Sequence, residues 1–292
     1  MRVVSLLASG TEIVCALGAG DSLVGRSHEC DNPAWVRSLP KCSEPAFDVS
    51  VSSREIDAEV GRRMRAGEPL YIIHNDLIRD LKPDVIIAQE HCEVCAVTPG
   101  DVDQTCAIGA RVVSLQASSL NDVFGGILTI AGALRLGDRG DALVECEKQR
   151  LEAVQKRVAG RSRPSVVVLE WIDPAYAMGN WGPELVEYAG GRLVLGHPGQ
   201  LSYGMANEKV LEANPEYLIV APCGFDLDRT IRECANVAWW NGLRSRIAVA
   251  DGNMFFNRSG MTVSHSAEMI AEILHAEVFG MRTEGIYWRW WN

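Results

Sequence analysis

The sequence predicts an α/β protein of two lobes, each with a parallel central sheet, joined by one long α-helix. Three observations carry that reading. Short apolar, β-branched runs recur with helical stretches between them, the pattern of parallel strands covered on both faces. The residues that punctuate these runs occur twice, in the same order, in the two halves of the chain. Between the halves lies one long stretch of 3.6-residue periodicity.

In the first half the predicted strands are RVVSLL (2–7), SLVGRS (22–27), DVIIAQ (84–89) and RVVSLQ (111–116). In the second they are SVVVLEW (165–171), RLVLG (192–196), EYLIVAP (216–222) and RIAVAD (246–251). TEIVCALGAGDSLVG (11–25) and PELVEYAGGRLVLG (183–196) both read as helix, glycine stop and new strand, since glycine tolerates the left-handed residue that ends a helix. LKPDVIIAQ (81–89) and ANPEYLIVAP (213–222) both set Pro and an acid directly before a strand, and proline ends the helix before it. Thr11, Glu12 and Glu184 are expected at helix starts, where acids meet the positive dipole end.

The connection is GDRGDALVECEKQRLEAVQKRVAGRSRP (137–164). Leu143, Cys146, Leu151, Val154 and Val158 are expected on its buried side, with Glu152 and Lys156 paired on the polar side. A helix of about 22 residues would be about 33 Å long, and its charged composition argues for a stiff rod. The domains read as 1–118, a helical connection 119–163, a second lobe 164–280, and an aromatic tail 281–292. Trp288, Trp290 and Trp291 in that tail could cover either a lobe or a partner subunit.

Composition narrows the function classes. The 292 residues include 47% hydrophobic and 23% charged side chains, ample for globular cores. With 28 basic against 38 acidic residues, the formal charge is −10, which disfavours a phosphate backbone as partner. No apolar run approaches the roughly 18 residues of a membrane span. MRVVSLLASG reads as a strand and not as a secretory signal. Nine cysteines form an odd set, so reduced thiols in the cytoplasm are expected. No G-x-S-x-G, H-E-x-x-H or Walker loop is present, which argues against an enzyme.

Ligands of parallel sheets sit beyond the carboxyl ends of the strands. In the first half those positions hold ASGTE (8–12), HECDNP (28–33) and EHCEVCAVTPGD (90–101). Ser9 and Thr11 could bond ligand amides, and His28 with Glu29 and Cys30 follows a strand directly. In the second half they hold WIDPAYAMGNW (171–181), HPGQLSYGM (197–205), CGFD (223–226) and GNMFFNRSG (252–260). There Cys223 stands beside Gly224, which lets a ligand approach the backbone. Three readings stay open for His91, Cys92 and Cys95. They could form a zinc or iron site completed by His28 and Cys30, a redox pair, or a wall that touches a ligand or simply packs.

RVVSLLASGTEIVCALGAGDSLVGRSHECDNP, KPDVIIAQEHCEVCAV and VLEWIDPAYAMGNWGPELVEYAGG resemble cytosolic members of the cobalamin-binding branch of the periplasmic binding-protein family, the vitamin B12 and iron-siderophore type. The resemblance runs from about Arg2 to about Gly280. It implies two Rossmann-like lobes joined by a long helix, a corrinoid held between them, and no catalysis. It further implies Trp171 and Tyr176 on the ligand wall, Tyr203 and Phe256 nearby, and Gln89 facing the ligand. Glu208 resembles the acid that family members offer to transporter arginines. An ABC transporter or a cobalamin-using enzyme would then be the partner. The chain departs from the branch at NRSGMT (257–262), where a proline-rich turn is expected.

Overall fold

The computed structural model describes residues 1–89 and 109–291. Its contacts divide the chain into two compact units. Unit 1 holds 1–51, 58–117 and 121–145; unit 2 holds 52–57, 118–120 and 146–292.

Unit 1 is built on a four-stranded, wholly parallel sheet. Its strands are β1 (Val3–Ser5), β2 (Leu23–Arg26), β5 (Val85–Gln89) and β6 (Arg111–Leu115), in the order β2-β1-β5-β6. A separate antiparallel pair, β3 (Ser43–Pro45) and β4 (Tyr71–Ile73), lies outside that sheet. The helices are α1 (Ala8–Ala16), α2 (Ser53–Ala66), α3 (Asn75–Leu81) and α4 (Leu120–Ala133). All five residues of β5 are buried, as a central parallel strand requires. Gly10 lets α1 lie close on it, because a Cβ there would stand 2.7 Å from Ile87 Cγ2. Val4, Leu6, Cys42, Ile78 and Ile86 form a core cluster.

Unit 2 has seven strands: β7 (Ser165–Trp171), β8 (Ala175–Ala177), β9 (Arg192–Leu193), β10 (Tyr203–Met205), β11 (Tyr217–Val220), β12 (Arg246–Ala250) and β13 (Trp288–Trp290). The order is β10-β8-β7-β11-β12-β13, with β9 beside the start of β7. β9, β7, β11 and β12 are parallel, while β8, β10 and β13 are antiparallel additions at the margins. Its helices are α6 (Gly182–Tyr188), α7 (Asn207–Ala213), α8 (Leu227–Cys234), α9 (Val263–Leu274) and α10 (Ala276–Phe279). Among the described residues, no helix is long and apolar enough to cross a membrane.

The shared punctuation has a common backbone basis. Gly18 and Gly190 both take positive φ, 73° and 77°, after α1 and α6. Lys82 and Asn214 are left-handed caps after α3 and α7, each directly before the proline that precedes a strand. The run RLVLG yields only a two-residue strand. Gly196, at φ 100° and packed against the Met178 carbonyl, turns the chain away.

The long helix forms as α5 (Gly137–Val158), 22 residues without a break. Glu152 and Lys156 lie 3.7 Å apart across one turn. The unit boundary falls inside it, between Glu145 and Cys146, so the expected stretch 119–163 is shared between the units. The buried stripe also differs from the expected one. It runs through Val144, Glu147, Leu151, Val154 and Val158, while Cys146 is exposed. Position 147 is four residues before Leu151 and therefore on its face, whereas 146 is rotated about 100° away. A second correction concerns α1. The helix starts at Ala8 directly after the β1 turn, which puts Thr11 and Glu12 in its interior. Glu184 does lie in the first turn of α6.

The aromatic tail belongs to unit 2. β13 pairs antiparallel with β12, with Trp290 opposite Ala248. Trp288 is fully buried. The buried carboxylate of Glu272 accepts from the Thr283 amide (2.7 Å), the Thr283 hydroxyl (3.0 Å) and Trp288 Nε1 (3.3 Å). Trp291 packs against a hydrophobic core cluster of unit 2.

Candidate ligand-binding site

The aromatic candidates gather in unit 2 at the carboxyl end of β7. Trp171 is its last residue and the ladder partner of Tyr176 on β8. The Trp171 ring lies 5.1 Å from that of Phe225, which follows β11. Arg229 of α8 stacks its guanidinium 3.7 Å from the Phe225 centroid, and the Asp226 carboxylate caps the same helix at the Arg229 amide, 2.7 Å away. Both polar edges of the Trp171–Tyr176 pair are engaged. Trp171 Nε1 donates to the Ser53 carbonyl (3.2 Å), and the Tyr176 hydroxyl donates to Asp57 Oδ1 (2.9 Å). Burial, and then the Asp57 carboxylate, push the Tyr176 phenol up to about 12.

Tyr203 does not share this wall. In the β8–β10 ladder Tyr203 pairs with Ala177, and Gly204 with Tyr176. Cross-strand partners share a face and neighbours alternate, so the two tyrosines stand on opposite faces. A Cβ on Gly204 would meet the Tyr176 ring at 3.0 Å, while Tyr203 is exposed and stacks on His197. Phe256 is also off the wall. It is 1% exposed, has φ 63°, and its amide donates to the Ser266 hydroxyl. Cys223 is half-buried beyond β11, with its amide donating to the Glu170 carbonyl. Asp251 directly follows β12, and burial raises its carboxyl above the usual range. Glu208 is exposed in the first turn of α7.

In unit 1 the polar candidates are largely turned inward. Ser9 and Thr11 are buried on α1. The Thr11 hydroxyl donates to Cys30 Sγ at 3.0 Å, and the same sulfur lies 3.3 Å from the Ser27 hydroxyl. Cys30 therefore sits in a polar cage and not on the loop surface. His28 Nδ1 faces the Ser43 hydroxyl (3.0 Å), and Nε2 faces the exposed Glu29 carboxylate (3.3 Å). Its ring lies 5.4 Å from that of Tyr71. Gln89, at the end of β5, is buried. His91, Cys92 and Cys95 lie outside the described residues. Among the described residues, no three His, Cys, Asp or Glu side chains are grouped to hold a metal.

Sequence reasoning missed the residues that hold the wall, Ser53, Asp57, Phe225 and Arg229. One signal for the first two was present. SSRE (52–55) is a capping box, and it forms as such. The Glu55 carboxylate accepts from the Ser52 amide (3.1 Å) and hydroxyl (2.6 Å), and Ser52 Oγ accepts from the Glu55 amide (3.3 Å).

Two units, each built around parallel central strands and sharing one long helix, define the fold of class III substrate-binding proteins. The chain belongs to the periplasmic binding protein family, whose sequence model matches residues 3–235. It is similar to the uncharacterised ABC transporter substrate-binding lipoprotein YvrC of Bacillus subtilis, 25% identical over 157 residues, 53% of this chain and 41% of that protein. The match thus spans less than half of that relative's length. Its fold is similar to that of a periplasmic heme-binding protein from Pseudomonas aeruginosa, with a TM-score of 0.73, 18% identity, and 95% of this chain and 93% of the other covered. It is also similar to that of the periplasmic vitamin B12-binding protein BtuF of Vibrio cholerae, with a TM-score of 0.68, 19% identity, and 94% and 96% covered.

Proposed function

We propose that the chain is a non-catalytic binding protein for cobalamin or a related corrinoid, acting in its capture, storage or delivery. The observation that carries this reading is the pair of half-buried rings Trp171 and Tyr176 at the carboxyl end of parallel strand β7, backed by the buried ring of Phe225. A flat macrocycle with an apolar face suits such rings, each good aromatic contact adding on the order of 0.5–1.5 kcal/mol beyond burial. Membership in a family of solute-binding proteins supports a small-molecule ligand. Relatives of the same fold named for vitamin B12 and for heme support a tetrapyrrole, and the motifs quoted above favour the corrinoid. His91, Cys92 and Cys95 are proposed as ligand contacts on sequence grounds alone. The partner would be an ABC transporter or a cobalamin-using enzyme. We assign the protein to the cytoplasm, which suits the six free thiols among the described residues.

The test is direct. Purified protein is mixed with hydroxocobalamin or with hemin and passed over a gel-filtration column. Co-elution of the corrinoid with shifted visible bands is expected, and Trp171→Ala should weaken its binding about tenfold, or about 1.4 kcal/mol. Retention of hemin alone would reassign the ligand, and retention of neither would end the reading.

A further inference from the structure

The segment Ser52–Asp57 packs as part of unit 2 although the rest of α2 belongs to unit 1. Its capping box gives it a fixed shape, and four attachments hold it. The Ser53 carbonyl accepts from Trp171 Nε1, and Asp57 accepts from the Tyr176 hydroxyl. The Ser53 amide and hydroxyl both donate to Glu233 Oε1 of α8, at 2.7 and 2.6 Å. The Arg54 guanidinium meets Asp173 at 2.8 Å. Arg54 is largely exposed, so that last pair holds little. The polar edges of both wall aromatics are thus turned toward this segment, and both rings are half-buried by the chain itself. A macrocycle cannot lie across rings that the protein already covers. These four attachments are polar, and water can replace each one when the segment lifts; Ile56, 8% exposed, is the one apolar side chain of the segment that is buried with it.

We infer that Ser52–Asp57 is a latch over the Trp171–Tyr176 wall, one that lifts to admit the ligand and sets its association rate. The inference rests on the reading that this wall meets the corrinoid. Glu233 holds the latch from outside the wall and so provides the cleaner variant. Glu233→Ala and Asp57→Ala should each raise the stopped-flow association rate of hydroxocobalamin about three- to tenfold. In the unliganded protein, each should also speed amide hydrogen exchange over 52–57 while leaving 165–171 unchanged. Association rates that are unchanged or lower would overturn the latch. Should the wild-type protein bind no corrinoid, the functional reading falls and exchange alone decides. Faster exchange confined to 52–57 in both variants supports the latch, and unchanged exchange overturns it.

Discussion

Cys30 and Cys146 show how surroundings reassign a side chain. Cys30 follows a strand in a loop rich in ligating residues, yet its thiol is enclosed by Thr11 and Ser27. Cys146 falls among apolar residues of a helix, yet it faces solvent. Burial raises the thiols of Cys15 and Cys42 to about 11 and that of Cys234 to about 12. Only the thiolate attacks a disulfide reagent, so these three should be slow. Titration with an aromatic disulfide is expected to lose one rapidly labelled thiol in Cys146→Ser and none in Cys42→Ser or Cys234→Ser. An unchanged fast phase in Cys146→Ser would contradict its exposure. Residue type was readable at each of these positions. Accessibility was not, because it depends on what the rest of the chain brings alongside.

At the scale of elements, periodicity gave the long helix and its ends but placed its stripe one residue off at 143 and 146, where Val144 and Glu147 are the buried residues. The eight predicted strands all form, because each is an apolar run whose pattern is local. β3, β4, β8, β10 and β13 were not read, since three-residue antiparallel pieces carry too little pattern to stand out. The β8–β10 ladder also separates Tyr176 from Tyr203, a consequence of register that spacing does not fix. The tail is the element with the sharpest test. Among the described residues Glu272 is the side chain that accepts from Thr283 and Trp288, and a buried donor left without an acceptor costs about 1–3 kcal/mol. Glu272→Ala should therefore lower the urea midpoint clearly and detach the tail, read as increased exchange over 283–290. A midpoint matching the wild type would show that β13 is held by its strand pairing and packing alone.

At the scale of the whole molecule, ligand binding and stability are linked. A ligand that binds only the folded chain stabilises it by RT ln(1 + [L]/Kd), about 2.7 kcal/mol at a hundredfold excess over Kd. Hydroxocobalamin should accordingly raise Tm in a concentration-dependent way, and Trp171→Ala should need more corrinoid for the same rise. A Tm that ignores the corrinoid at saturating concentration would contradict specific binding to the native state.

The sequence by itself determined the α/β class, the paired order of helices and strands, the long helix and the family, because these follow from local periodicity, caps and short motifs. Trp171 and Tyr176 were legible as one wall through the family resemblance of the EWIDPAY motif. Only the tertiary structure decided that Phe256 is buried, that Thr11 serves Cys30, that the tail completes a sheet, and that Ser53 and Asp57 hold the aromatic wall. Those facts depend on contacts between residues far apart in the chain. Asp57 and Tyr176, for example, are 119 positions apart, and no local pattern encodes which distant group will fill a given hydrogen bond.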